Sequence, residues 1–319
     1  MMNYALVIAI LAVALVLYYR WARSVGFTDK PNARSSHDRP TVLGAGILFP
    51  LATLLWYVLF DASEVYLLAS VLMSGITGFI DDRKPLSPLI RLMIQFAAVA
   101  LVLAESGVFG LPVFAVILYF ILITGWVNTF NFMDGINGIT ALYALSVLCG
   151  VWLFLPDGSG ALVPLVYVTG IAILIFSFYN VRPKALAFAG DVGSYSLGII
   201  LAYLVSGLVT STGRWEFILL VGVYGVDSVL TILHRLIRKE NIFDAHRSHL
   251  YQYLANEMRI PHVLVSVLYA LTQLIVIISL YQLDVSCWSN LAIFWLVFLS
   301  LIYVFLKRWI LNRVYKPEG

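Results

Sequence analysis

The chain has 319 residues, of which 61% are hydrophobic and 12% carry a charge, with a formal net charge of +3. A soluble protein of this size would carry about 25% charged residues, so the composition excludes an ordinary soluble domain. Apolar runs of roughly 18 to 20 residues recur along the whole length, which reads as an all-α, polytopic integral membrane protein.

The expected spans, in chain order, are 2–20, 43–60, 65–80, 89–104, 111–127, 138–155, 161–180, 193–210, 215–233, 263–282 and 290–307, about eleven transmembrane helices in all. The first run is long and lacks a small-residue cleavage site before Tyr18-Tyr19-Arg20, which argues against a removed leader. Cys149 falls in a span and Cys287 in a loop, so neither a disulfide between them nor a metal spacing is expected. No repeat or low-complexity linker divides the chain, and residues 1–319 read as a single integral membrane domain.

The basic residues orient these spans. Loop 20–42 carries Arg20, Arg23, Lys30, Arg34 and Arg39. Loop 81–91 carries Arg83, Lys84 and Arg91, loop 181–192 carries Arg182 and Lys184, and loop 234–262 carries Arg235, Arg238, Lys239, Arg247 and Arg259. The tail adds Lys307, Arg308, Arg313 and Lys316. Of the 20 Lys and Arg residues, only Arg214 falls on the other side. The positive-inside rule makes the crowded side cytoplasmic, with the N-terminus outside and the C-terminus inside. The net charge is therefore a matter of basic loops at an anionic leaflet and not a nucleic-acid signal.

Polar residues gather on that same side. The third span ends in Asp81-Asp82-Arg83-Lys84, an adjacent pair of like charges that Arg83, Lys84 or a divalent cation would relieve. A solvated helix end with local ion pairs is the alternative. The fifth span ends in Asn128-Thr-Phe-Asn131-Phe-Met-Asp134-Gly-Ile-Asn137-Gly138. Four polar residues at spacings of three place several on one helix face. Oxygen donors of this kind suit Mg²⁺, completed by water and substrate phosphate. A capped turn opening the sixth span, with Asp134 or Asn137 as N-cap, needs only one of them.

Gly190-Asp191-Val-Gly193-Ser194 pairs a carboxylate with a helix start suited to phosphate. Phe188 just before it reads either as a stacking partner for a base or as an interfacial aromatic. Asp244-Ala-His246-Arg247-Ser-His249 offers two histidines and an arginine. Phosphate recognition suits Arg247 better than a zinc site, because its charge would repel a cation. Asp227, inside the ninth span, reads either as functional or as a structural hydrogen-bonding group. All five histidines lie on the inner side, whereas the outer loops hold only scattered acids.

Taken in order, Ser35-Ser-His37…Pro40-Thr, Asp81-Asp82, Asn128–Gly138, Gly190–Ser194 and His246-Arg-Ser-His249 resemble the polyprenyl-phosphate N-acetylhexosamine-1-phosphate transferases, over roughly residues 30 to 252. The last motif, followed by Leu250-Tyr251-Gln252, looks most like the bacterial branch that initiates O-antigen or capsule chains. The resemblance implies a Mg²⁺-dependent enzyme, with Mn²⁺ as the alternative ion, in the bacterial cytoplasmic (inner) membrane. It would transfer sugar-1-phosphate from a UDP-N-acetylhexosamine to undecaprenyl phosphate, release UMP, and face the cytoplasm.

By this resemblance Asp191 and Asn131 are metal-ligand candidates, and Asp81, Asp82 and Asp134 are catalytic candidates. Arg91, Asn128, Asn137, Phe188, His246, Arg247 and His249 are substrate-binding candidates, with Phe188 stacking on uracil and Arg91 on the pyrophosphate. One departure stands out: relatives carry Pro-Arg before a glycine-rich span start, whereas this chain reads Thr41-Val-Leu-Gly44-Ala-Gly46. The rival reading is a transporter or flippase of lipid-linked sugars, which would place polar groups deep in several helices. A homodimer is compatible with either reading, and no motif selects the sugar.

Overall fold

A computed structural model gives the fold and describes residues 2–31, 35–156, 158–241 and 247–314. The described residues form helices α1 (Met2–Ser24), α2 (Leu48–Leu59), α3 (Val65–Arg83), α4 (Pro88–Glu105), α5 (Val113–Phe132) and α6 (Ile139–Phe154). After these come α7 (Leu162–Asn180), α8 (Gly190–Thr212), α9 (Gly222–Ile237), the single turn α10 (Leu250–Gln252), α11 (His262–Gln282) and α12 (Trp288–Val314). A short antiparallel ribbon pairs β1 (Thr28–Asp29) with β2 (Thr41–Val42), with Thr28 opposite Val42 and Asp29 opposite Thr41. Val42 also bridges in parallel to Ala187.

Each expected span overlaps one of these helices, the second and ninth beginning in the short 3₁₀ turns Ala45–Ile47 and Trp215–Val221. Among the described residues, 9 helices are long and apolar enough to cross a membrane, while Ala45–Leu59 and Ile139–Phe154 are shorter apolar helices. Helices prevail because lipid offers no partner for a free backbone N–H or C=O, so each segment satisfies its own.

The helices are not equivalent. In α8, 83% of the apolar stretch is buried, against 17% in α1. The central helix earns that place through small residues. Gly193 and Gly46 bring the start of α8 against the turn before α2, so that a methyl on Gly46 would collide with the Gly193 backbone. Gly78 does the same for α3, where a methyl would meet the backbone of Asp191 and Val192. The outer helices instead present Leu, Ile, Val and Phe outward, including Ile117, Ile121, Leu301 and Phe305.

Two ends of the bundle can be told apart by what joins them. At one end, Glu105 closing α4 accepts from the N–H groups of Tyr66 and Leu67 that open α3, at 2.7 and 3.2 Å. Trp56 near the end of α2 donates to the Ala161 carbonyl before α7 at 2.8 Å. At the other end, the close of α7 meets the opening of α6, with the Gly138 N–H donating to Asn180 at 2.8 Å. Ser266 in the first turns of α11 donates to the Asn137 carbonyl at 2.9 Å. The closes of α3, α5 and α9 and the opening of α8 lie at this second end, where the acids and amides collect.

Because Gly78 touches backbone and not a movable side chain, Gly78→Ala should force α3 and α8 apart. The expected cost is about 1–3 kcal/mol, seen as a fall of several degrees in the unfolding midpoint of the detergent-solubilised protein. An unchanged midpoint would mean that the two helices do not make this contact.

Candidate active site

The site is built around the N-terminus of α8. The first N–H groups of a helix have no partner within it, and here a carboxylate from another helix takes them. Asp82 accepts from the Asp191 N–H at 2.9 Å and from the Val192 N–H at 3.2 Å. Gly190, at φ +71°, makes the turn that lets Asp82 come this close. The negative charge also sits at the positive end of the α8 dipole.

With Asp82 committed to α8, Asp81 points the other way. Its Oδ1 accepts from the Leu86 N–H at 2.6 Å and its Oδ2 from Arg91 at 3.1 Å, which fastens the first turn of α4 to the last turn of α3. The sequence offered Arg83 and Lys84 as partners for the acidic pair, but both are exposed. Arg91 takes that place because α4 folds back against α3. Arg91 also lies near enough to Tyr195, in the second turn of α8, to interact with it electrostatically.

Asp191 lies near enough to Asp81 and Asp82 for their charges to act on it. Asn131, from the last turn of α5, donates to Asp191 Oδ1 and to Ser194 Oγ, both at 2.8 Å. Three separate helices thus bring Asp81, Asp191 and Asn131 together. Two adjoining carboxyl groups repel one another until a cation or a proton offsets their charge.

Among the described residues, no group of three or more His, Cys, Asp or Glu side chains is arranged to hold a metal ion. That argues against a closed protein cage of the zinc type. The pair Asp81–Asp191 with the Asn131 amide does fit Mg²⁺, which takes one or two carboxylates and draws its remaining ligands from water and phosphate.

Beside these residues opens a cavity of about 750 Å³. Arg91, Gln95, Asn128, Asn131, Asp191 and His249 supply its polar lining, and Leu89, Leu92, Val127, Phe132 and Ile232 its apolar lining. Asn128 donates to Gln95 at 2.9 Å and to the Thr124 carbonyl at 2.9 Å, joining α5 to α4 across the wall.

The polar run after α5 does not share one face. The helix ends at Phe132, whose carbonyl accepts from Tyr251 at 2.9 Å, and residues 133–138 turn away from its axis. Asn128 and Asn131 therefore remain on the helix, while Asp134 and Asn137 leave it. Asp134 turns inward to accept a hydrogen bond from Thr140. Asn137 donates to the carbonyls of Arg182 and Pro183 at 2.9 and 3.2 Å. Neither is the N-cap of α6: Gly138 holds that position at φ +87°.

Asn180, not singled out from the sequence, ties the two motif loops together by accepting from Gly138 and donating to the Ala187 carbonyl at 3.0 Å. Its signal was an amide at the end of an apolar run. Phe188 stands apart from the cavity lining. Its N–H donates to the Val42 carbonyl at 2.8 Å, and its ring meets His37 edge-on at 4.9 Å between centroids.

His246 lies outside the described residues. Arg247 is half-buried and near enough to Tyr251 to interact with it electrostatically. His249 is buried, with Nδ1 at 3.3 Å from Asp227 Oδ1. Asp227 also accepts from Tyr269 at 2.6 Å, the Leu250 N–H at 3.1 Å and Thr231 at 3.3 Å. An ionised carboxylate only accepts, so His249 carries a proton on Nδ1 and donates it to Asp227. Tyr195, Gln95 and the Asp227–His249 pair complete the site. Of these, only Tyr195 and Gln95 went unnamed from the sequence, because a tyrosine or glutamine in an apolar span gives no pattern from which to assign it.

Comparison with known proteins comes to the same region. The family described as glycosyl transferase family 4 matches residues 65–208. An undecaprenyl-phosphate alpha-N-acetylglucosaminyl 1-phosphate transferase of Thermotoga maritima is 30% identical over 72% of this chain and 73% of its own length. The protein of that same name from Escherichia coli strain K12 is 27% identical over 92% of this chain and 88% of its own. A phospho-N-acetylmuramoyl-pentapeptide-transferase of Deinococcus radiodurans is 29% identical over 59% of this chain and 70% of its own.

Asp134, in the loop between α5 and α6, has its carboxyl pushed up to about 6 by burial, which the Thr140 hydroxyl only partly offsets. A raised carboxyl holds its proton more tightly in the folded state. Its contribution to stability is therefore present below the unfolded value near 3.8 and is lost as pH rises to about 6. Asp134→Asn removes that titration, so its stability relative to the parent should rise across this interval and stay level above it. Unfolding midpoints of both proteins measured from pH 4 to pH 8 test this; a constant difference throughout would refute it.

Proposed function

This chain belongs to glycosyl transferase family 4, the polyprenyl-phosphate N-acetylhexosamine-1-phosphate transferases, and from that premise we propose that it transfers an N-acetylhexosamine-1-phosphate from a UDP-sugar to undecaprenyl phosphate. The observation that carries this reading is the meeting of Asp81, Asp82, Asn131, Asp191 and His249 at one end of the bundle, beside a cavity lined by both polar and apolar groups. Such a cavity suits a ligand with a charged head and a hydrocarbon tail. An acceptor phosphate would lie near Arg91 and Asn128, its first isoprene units along Leu89, Leu92 and Ile232.

In the reaction, an oxygen of the acceptor phosphate attacks the phosphorus that carries the sugar. The bond from that phosphorus to the bridging oxygen breaks, and UMP leaves with the electron pair. Both reactants are anionic, and at 4 Å in an effective dielectric near 20 each like-charge pair costs about 4 kcal/mol. Arg91, Arg247 and His249 would offset part of that, with His246 as a further candidate in the same loop. Mg²⁺, or Mn²⁺ in its place, would be held by Asp191 with Asp81 and Asn131 beside it, and when bound supplies charge stabilisation at the phosphates.

No strong base is required. The second pKa of a phosphate monoester is about 6, so the acceptor is largely ionised at neutral pH. Asp82 accepts two backbone N–H groups, which supports an organising role for it. Asp134 would act through the turn that it fixes with Thr140. Phe188 would stack on the uracil, and Asn137 would shape the neighbouring wall through Arg182 and Pro183.

The crowding of basic residues in the loops at this end supports a cytoplasmic site, in an eleven-pass arrangement within the bacterial inner membrane. There the nucleotide arrives from water and the lipid phosphate from the side. The product would serve as the first lipid-linked sugar of an O-antigen or related surface polysaccharide. A flippase is the weaker reading. The deep acid that such a reading would use, Asp227, is taken up by His249, Tyr269, Leu250 and Thr231.

The test is purified protein with undecaprenyl phosphate, Mg²⁺ and a panel of UDP-N-acetylhexosamines, scoring UMP release. Asp191→Asn should lower turnover by about a hundredfold or more while expression and folding persist. Near-normal turnover of that variant at low Mg²⁺ would sink the metal assignment, and no UMP from any donor would sink the reaction.

A further inference from the structure

The last helix places a charged group where neither the family motifs nor the reaction call for one. Lys307 of α12 is 4% exposed, whereas the neighbouring Arg308 and the later Arg313 are exposed, and the helix before it presents mainly hydrocarbon outward from Ile293 to Phe305. A buried ammonium is costly unless it is well paired, and a hydrocarbon side chain of similar length would pack there at less cost. An ionisable residue retained in such a place points to function.

Its partners show what it does. Lys307 Nζ donates to the Ser248 carbonyl at 2.8 Å and to the Tyr303 hydroxyl at 2.5 Å, and it lies 5.7 Å from the centre of the Tyr253 ring. Because Tyr303 accepts from Lys307, its own hydrogen is available for Thr231 Oγ1, 2.7 Å away. Thr231 in turn donates to Asp227 Oδ1 at 3.3 Å and lies 3.4 Å from the Ser248 carbonyl. Asp227 is the carboxylate that meets His249. A continuous donor chain therefore runs from α12 through Tyr303 and Thr231 to Asp227, which also accepts from the histidine lining the cavity.

The other stem of the same loop is fastened in a similar way. Arg235 of α9, also 4% exposed, donates to Glu240 at 3.1 Å and to the Asn241 carbonyl at 2.7 Å. One buried cation thus holds residues 240–241 and another holds residue 248, on either side of the segment that carries His246 and Arg247.

We infer that Lys307 is a positioning residue for sugar-phosphate transfer: its ammonium fixes the Ser248 carbonyl and, through Tyr303 and Thr231, the Asp227 carboxylate that orients His249. This rests on the transferase reading for its kinetic consequence but not for its structural one. The role belongs to the backbone and to a histidine tautomer, so Lys307 need not touch substrate. It also makes α12 part of the site's framework as well as a membrane anchor.

The experiment compares Lys307→Met, Lys307→Arg and Tyr303→Phe with the parent, using Arg313→Met on the exposed last turn of α12 as a matched loss of charge. Two readouts are taken on the full-length protein: steady-state UMP release with Mg²⁺, and backbone hydrogen exchange across residues 248–253. Lys307→Met should lower kcat by roughly tenfold to a hundredfold, leave KM for the UDP-sugar within about twofold, and speed exchange in that segment alone. Lys307→Arg, which keeps a cationic donor, should recover much of both, and Arg313→Met should match the parent.

Unchanged kcat and unchanged exchange in Lys307→Met would overturn the inference, as would a loss spread evenly over the whole protein with no recovery in Lys307→Arg. Should Lys307→Met fail to fold, Tyr303→Phe decides, because it breaks the donor chain while keeping the ring; parent-like kcat would then refute the role. If the parent itself releases no UMP, the transferase reading fails, and the exchange comparison still judges the latch.

Discussion

The arrangement depends on a carboxylate of one helix closing the open N-terminus of another. In a membrane, the unpaired N–H groups at a helix start cannot turn to bulk water, so a protein group must meet them. Asp82 of α3 does this for α8, accepting from Asp191 and Val192. The interaction is strong for two reasons: the bonds are charge-assisted, and the α8 dipole favours a negative group there. It is possible only because Gly78 and Gly190 bring the two backbones close. Replacing either by a larger residue would leave the cap out of reach.

Everything else at the site follows from that contact. Capping by Asp82 sets the register of α3 against α8, and the neighbouring Asp81 is then delivered to Asp191. Arg91 reaches Asp81 because the Leu86 N–H closes the turn between α3 and α4 on the same carboxylate. Asn131 reaches Asp191 because α5 packs along α8, with Trp126 donating to the Gly198 carbonyl at 2.9 Å. The result concentrates negative charge at one point and cations around it, as a reaction between two phosphates requires. Asp81 and Asp191 repel one another wherever both are ionised.

The histidine side of the site is supported differently. Asp227 is buried in α9 and gathers four donors, so its charge is spread over fixed hydrogen bonds. Such a fully satisfied network holds one geometry, whereas a partly satisfied one would not. The rigid support of His249 contrasts with the open cavity beside it, into which a flexible hydrocarbon chain could be accommodated without precise fit. Geometry is strict where charge develops and permissive where only apolar surface is covered.

Much of this was legible in the sequence, and the reasons it was legible are physical. Long apolar runs can only be helices in lipid, and Asp, Asn and His are too costly in such runs to be incidental, so the helices and the principal polar groups Asp81, Asp82, Asn131 and Asp191 could be named. The spacing of Asn128, Asn131, Asp134 and Asn137 misled, because periodicity assumes that a helix continues, whereas Tyr251, 119 residues away from Phe132, takes the terminal carbonyl and the chain turns. Arg91 was named, but its pairing with Asp81 in place of Arg83 or Lys84 depended on how α4 folds back. Asn180 offered only an amide at the end of an apolar run, and Tyr195 and Lys307 carried no local pattern, since each acquires its role from a partner distant in the chain. Which residues must be polar, and that helices carry them, was determined by the sequence alone, because burial in lipid penalises each side chain individually. Which polar group meets which was decided only by the tertiary structure, because hydrogen bonds and ion pairs form between helices and depend on packing that no single segment contains.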